Sequence, residues 1–327
     1  MPGLASIDLW HFVFRGPGRF RLVLAPGFGA SMLALSLCSG GCARPEASRP
    51  VEDTETSGRI SIATSTDLHE LVAGEAAAFA SQYPQAVLEL GEPRPSGQVI
   101  SELLAGRADV AVVGRDLEQE ERDMAQKGGI ELEGHRVAQD GLCVVVHAGN
   151  PVRNVTVGEL RRIWSAEMRE WSALGGPSQR IVPVLPPLHA DLARAFAQVV
   201  MNGEPMKAAT LMEVSDSAVA DRVARTPGAI GVVPLRLASV AGLRALHVAP
   251  LEGLPYIEPD MESVHDGSYP LQYFIHVYVR TRRPRLAGGF VTYVASQPGQ
   301  ERVLASGRIP TSVPLRFVRR SPMLGSH

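Results

Sequence analysis

From residue 59 onward the chain alternates short apolar runs with stretches of helical periodicity. Residues 59–63 (RISIA) predict a strand, and residues 67–82 a helix that carries Leu68, Leu71, Val72, Ala76 and Phe79 on one face. A second strand at 86–90, a helix at 98–105 and a third strand at 109–113 follow. An acidic helix at 117–126 comes next, its Glu118-Gln119-Glu120-Glu121 run reading as a solvated face. The pattern restarts after Gly141 with a strand at 142–147 and a break at Asn150-Pro151. Thr156 and Glu159 then form a capping box that opens a helix toward Trp164. Residues 181–185 predict a strand, 190–201 a helix, and 230–233 a strand after the Thr226-Pro227-Gly228 turn. An aromatic strand at 273–279, a helix at 286–296 and a turn at Gly307 complete the series. Strands alternating with helices imply parallel βαβ units and an α/β fold in two similar halves, without a fixed-period repeat.

The first 42 residues have a different grammar. Arg15, Arg19 and Arg21 precede a mostly apolar stretch at 22–37, interrupted by Pro26, Gly27 and Gly29 and ending in Ser39-Gly40-Gly41-Cys42. This is the layout of an export signal. The stretch is too short and broken for a membrane-spanning helix, which needs about 20 apolar residues. Small residues just before Cys42 resemble the bacterial lipobox, in which the cysteine thiol carries a lipid. Ordinary signal cleavage is the competing reading, because Ser39 stands where the lipobox favours an aliphatic residue. Residues 43–58 are rich in Pro, Ser, Thr and Glu and poor in large apolar residues, so they predict a flexible tether.

At 327 residues, 45% hydrophobic and 20% charged, the chain has enough apolar material for two cores. A formal net charge of −2 argues against a nucleic-acid binder. Of the three cysteines only Cys143 lies in the body, so no disulfide can form there. Its apolar surroundings predict a buried, unreactive thiol.

Candidate chemistry gathers at strand ends. Ala63-Thr64-Ser65-Thr66-Asp67 joins a strand end to a helix start, where free N–H groups favour anions. Ser65 or Thr66 either caps that helix or offers a hydroxyl to a ligand. Pro95-Ser96-Gly97-Gln98 occupies the equivalent position after the second strand, and Gly97 would let a ligand approach the backbone. Gly114-Arg115-Asp116 follows the third strand. All three lie at carboxyl ends of parallel strands, where open α/β sheets bind ligands. The nine histidines show no metal-binding spacing, and neither a nucleophile elbow nor a phosphate-binding P-loop is present. The expectation is a non-enzyme with no metal and no cofactor. Trp164 and Trp171 read as packing residues.

With those sites placed, the body over residues 59–316 resembles the phosphate-binding proteins of phosphate ABC transporters, within the type II periplasmic binding-protein superfamily. The likeness lies in Ala63-Thr64-Ser65-Thr66, Ser96-Gly97, Gly106-Arg107-Ala108-Asp109-Val110 with Gly114-Arg115, and Ala138-Gln139-Asp140-Gly141. It continues through Ile163-Trp164, Trp171 to Gly176, Pro227-Gly228-Ala229-Ile230-Gly231, Tyr269-Pro270-Leu271 and Gly299-Gln300. The resemblance implies a two-lobed fold, each lobe a mostly parallel sheet flanked by helices. The first lobe would span 59–138 and resume at 235–318, with the second at 139–234 and a disordered tail at 319–327. Hinge crossovers are then expected near 138–141 and 232–236. Ligand positions carry over as Ser65, Thr66, Ser96 and Arg115 in the first lobe, beside the Gly97 already nominated, with Asp140 at the first crossover.

One departure stands out. Where the family has an arginine followed by Ser-Gly-Thr in the second lobe, this chain has Pro186 and Ala190-Asp191-Leu192. A forked cation and two hydroxyl donors are lost, and a carboxylate that repels phosphate is gained. The expected ligand is therefore phosphate, another small oxyanion, or a zwitterion whose cationic end meets Asp191. The resemblance further implies an ABC permease partner, a monomer, and a periplasmic or cell-envelope location with a lipid anchor at Cys42. The competing function is a non-transport lipoprotein that uses the same fold as a sensory or protein-interaction module.

Overall fold

The computed structural model describes residues 52–312. The export signal, Cys42 and the 319–327 tail lie outside the described residues. Twelve strands are present among them: β1 (Gly58–Thr64), β2 (Ala86–Leu90), β3 (Val110–Val113), β4 (Leu132–His147), β5 (Asn154–Thr156), β6 (Val182–Leu185), β7 (Leu211–Met212), β8 (Ala229–Pro234), β9 (Leu243–Ala245), β10 (His247–Ala249), β11 (Gln272–Arg280) and β12 (Ile309–Pro310). The helices are α1 (His69–Gln82), α2 (Ser96–Leu104), α3 (Gln119–Lys127), α4 (Val157–Trp164), α5 (Asp191–Phe196), α6 (Asp216–Arg225), α7 (Met261–His265), α8 (Arg285–Ala295) and α9 (Gln297–Ala305).

The sheet order is β2-β1-β3-β11-β4-β8-β6-β7, with β9 and β12 also paired to β4. β1 runs parallel to β2 and β3, and β6 runs parallel to β7 and β8. β4 and β11 bring antiparallel pairing into the middle of the sheet. β4 spans both lobes. Its residues 132–141 pair with β11 and its residues 142–146 with β8, so the first crossover falls at Gly141 and Leu142.

Each lobe closes on its own apolar cluster. In the first, Phe79 meets Phe290 and Tyr293 edge-on, with ring centroids 5.8 and 5.3 Å apart. In the second, Trp164 and Trp171 are fully buried, as packing residues should be, and Trp164 lies 4.7 Å from Phe196. The Trp171 indole N–H donates to the Gly228 carbonyl at 3.0 Å. Cys143 is buried beside Val145, Val184, Val219 and Val223, where desolvation pushes its thiol pKa well up.

Three sequence expectations need correction. The resemblance places residues 235–265 in the resumed first lobe, but β9 pairs with the second-lobe end of β4 and β10 with β5. The return crossover is therefore at 269–272 and not near 232–236. There Leu142 N–H donates to the Leu271 carbonyl at 2.9 Å, and Tyr269 Oη donates to the Leu142 carbonyl at 3.0 Å. The tether expected to reach residue 58 is fastened earlier. The Asp53 carboxylate accepts the N–H groups of Arg285 and Leu286 at 2.9 and 3.3 Å. It thereby caps α8, whose own N-cap, Pro284, has no acceptor in its side chain. The same segment crosses α8 closely enough to require a glycine: a Cβ at Gly289 would lie 1.8 Å from the Glu55 carbonyl oxygen. Finally, the Glu118–Glu121 run is not wholly solvated, since Glu121 is buried.

Candidate functional site

The segments that follow β1, β2, β6 and β7 open onto one cleft between the lobes. It is lined by Ser65, Thr66, Asp67, Arg94, Pro95 and Ser96 from the first lobe. The second lobe contributes Pro186, Pro187, His189, Ala190, Asp191, Val214 and Ser215. The free space is ≈ 60 Å³, room for a solute of few heavy atoms.

Ser65 lies between the end of β1 and the helical turn Thr66–Leu68. Its backbone is pinned by donation from its N–H to the Val112 carbonyl at 3.0 Å. The hydroxyl makes no capping bond to the helical turn that follows. It is instead 2% exposed and without a hydrogen-bond partner. Thr66 beside it is exposed at the cleft.

Ser96 starts α2, and its hydroxyl is engaged by the Arg115 Nε–H at 2.9 Å. Arg115 itself is buried behind the cleft. Its two terminal nitrogens donate to the Glu121 carboxylate at 2.8 and 2.6 Å, and one also donates to the Asp116 carbonyl at 2.9 Å. Burial works against the guanidinium charge, but Glu121 more than offsets this and holds the proton more firmly than usual. Arg115 therefore supports Ser96 and does not line the cleft. Gly97 lies outside the lining as well.

Asp191 is the second lobe's main contribution. It opens α5 and is 3% exposed. Its Oδ2 reaches across to accept the Gly114 N–H at 2.7 Å, at the end of β3. Its Oδ1 is buried without a partner. The approach is close enough that a Cβ at Gly114 would lie 3.1 Å from this carboxylate. One turn along α5, Arg194 pairs with Glu118 of the first lobe.

Asp140 is not in the cleft. It sits fully buried at the crossover, where Oδ1 accepts the N–H groups of Gly141 and Leu235 at 2.8 and 3.0 Å. Burial raises its pKa against the pull of those bonds and of Arg308 and Arg236. Sequence reasoning missed the acidic group at and behind the cleft. Asp67 is pushed up to about 6 by burial, Asp216 and Asp191, against the pull of Arg236 and Arg308. Asp216 is likewise raised by burial, and one of its oxygens is buried and unpartnered. These residues come from separate segments, and no local pattern ties them together. Among the described residues no group of three or more potential metal ligands converges, and no helix is long and apolar enough to cross a membrane.

A family model described as a PBP superfamily domain matches residues 50–298. The phosphate-binding protein PstS of Bacillus subtilis is 26% identical over 299 residues, covering 89% of this chain and 94% of the relative. PstS of Pseudomonas aeruginosa is 24% identical over 284 residues, covering 78% and 83%. The crystal structure of an ABC-type phosphate transport receptor from Vibrio cholerae shares the fold with a TM-score of 0.67 at 22% identity, over 77% of this chain and 100% of that one. A phosphate-bound substrate-binding protein from Clostridium perfringens gives a TM-score of 0.65 at 22% identity, over 78% and 100%.

Proposed function

The chain belongs to the PBP superfamily, and we propose that it serves as the extracytoplasmic solute-binding component of an ABC transporter, capturing phosphate or a comparable small oxyanion between its lobes. The observation that carries this reading is the Ser65 hydroxyl, buried and unpartnered at the cleft. An orphaned buried donor is costly unless a ligand completes it. Around it stand Thr66 and the amide-rich starts of the turn Thr66–Leu68 and of α2. These are acceptor-seeking groups, suited to oxyanion oxygens. The names of the relatives agree with this solute class. In this reading Cys42 carries the lipid that holds the protein at the membrane, and the protein works as a monomer.

Calorimetric titration with phosphate, sulfate and molybdate tests the proposal, with Ser65→Ala as the control. Wild type should bind at least one of the three. Ser65→Ala should weaken that binding by roughly tenfold or more, the usual loss for one hydrogen bond to a charged group. Heat-silent titrations with all three anions, backed by unchanged melting temperatures, would sink it. A second reading, a non-transport sensory or interaction module, draws on Arg115, whose guanidinium is already engaged by Glu121, Ser96 and the Asp116 carbonyl. That reading predicts no small-molecule ligand.

A further inference from the structure

We propose that Asp191 is a tethered substitute for the solute's anionic group, latching the two lobes together at the cleft and competing with solute for the first lobe's donors. The inference rests on the cleft being the solute site, as proposed above. A carboxylate resembles an oxyanion in charge and in its acceptor oxygens. Here it comes from one lobe and sits on a backbone N–H of the other, the Asp191 Oδ2 accepting from Gly114 at 2.7 Å. That bond is short and charge-assisted, and it is shielded from water. Arg194 reinforces it from the next turn of α5 through its pair with Glu118. The two contacts fasten one helix of the second lobe to the region after β3.

Two consequences follow for an entering oxyanion. The Asp191 carboxylate, which lines the cleft, is committed to the Gly114 N–H behind it, so a solute must displace the carboxylate to gain that donor or share the cleft with it. It must also approach Asp191 Oδ1 and Asp67, which present negative charge at the cleft. Like charges at such distances, away from bulk water, cost more than they would at the surface. The Gly114 N–H thus has its acceptor within the chain, whereas the Ser65 hydroxyl has none. Solute therefore gains its binding energy from the first lobe and loses part of it to the displaced latch. A ligand can shift the lobes only by its differential affinity for the two states.

The test compares wild type with Asp191→Ala and Asp191→Asn in the full-length folded body, by phosphate calorimetry and by small-angle scattering with and without phosphate. Asp191→Asn keeps the volume and an acceptor for Gly114 but removes the charge, and it guards against a misfolded alanine variant. Wild type should have the same radius of gyration with and without phosphate. Asp191→Ala should be measurably expanded when free and contract on phosphate addition. Its phosphate affinity should rise by about tenfold or more over wild type, with Asp191→Asn intermediate. Variants that fold, stay as compact as wild type, and bind phosphate equally or more weakly overturn the proposal. Expansion of the alanine variant without phosphate binding in any form would uphold the latch and count against the solute reading alone.

Discussion

Arg115 and Glu121 form a two-pronged ion pair buried behind the cleft, with N–O distances of 2.8 and 2.6 Å. Glu121 serves twice, since its Oε2 also accepts the Glu118 N–H that opens α3. Breaking the pair from one side leaves a buried charge alone. Glu121→Ala should therefore cost about 3–5 kcal/mol in denaturant unfolding. Replacing both partners, as in Arg115→Met with Glu121→Leu, should recover much of that loss, because the pair's attraction is largely offset by its desolvation. Equal losses in the single and double variants would contradict this account.

Asp140 ties the two crossovers together. Its Oδ1 accepts from Gly141 in the first, and from Leu235 just beyond β8. Tyr273, at the return crossover, donates its hydroxyl to Oδ2 at 3.5 Å. Asp140→Ala orphans these donors in a dry site and should destabilise the protein by roughly 1–3 kcal/mol for each buried N–H left unmet. Asp140→Asn should be milder, as its carbonyl oxygen can still accept both N–H groups that Oδ1 receives. Urea titrations at neutral pH distinguish the two.

Glu75 on α1 is 2% exposed, and neither of its carboxylate oxygens has a hydrogen-bond partner. Burial raises its pKa from the ordinary 4.5 to about 8, against the pull of Arg302. The native state then holds a proton that the unfolded chain releases, so stability falls as pH rises from 4.5 through about 8. Glu75→Gln should flatten that decline. Its melting temperature should exceed that of wild type at pH 8–9, with the gap shrinking toward pH 5. A gap independent of pH would place the proton elsewhere.

Thr156 and Glu159 cap α4 reciprocally. Thr156 Oγ1 accepts the Glu159 N–H at 3.1 Å, and Glu159 accepts the Thr156 N–H at 2.8 Å. Thr156→Ala should cost about 0.5–2 kcal/mol by thermal or chemical unfolding.

That capping box was legible because it is local. Its residues and spacing specify the geometry, and the helix begins where they say. The same holds for the apolar runs of β2, β3 and β8. The first half of β4 was not legible. Its Leu132-Glu133-Gly134-His135-Arg136 stretch is charged and half-exposed, and it becomes a strand through its pairing with β11. The lobe assignment of residues 235–265 failed for a related reason: β9 and β10 are three-residue strands whose partners are far away in sequence. At the site, the strand-end positions of Ser65, Thr66 and Ser96 were readable from alternation alone. The fate of Arg115 was not. Glu121 lay in a run that looked solvated, and only the fold turns one face of α3 toward the guanidinium. Asp191 was visible as a departure in composition, but its bond to Gly114 depends on how the lobes meet.

The position of β11 bears on how the nascent chain folds. A polypeptide that has emerged as far as β8 contains β1, β2, β3 and β4, yet lacks the strand that joins β3 to β4. The first lobe's sheet closes only when residues such as His276 arrive to pair with Val113 on one side and Arg136 on the other. Pairing at such sequence separation is slow, because the loop must close before any contact rewards it. The first lobe's sheet is therefore completed only after nearly the whole body has been synthesised, so this lobe finishes folding after the strands of the second are already available.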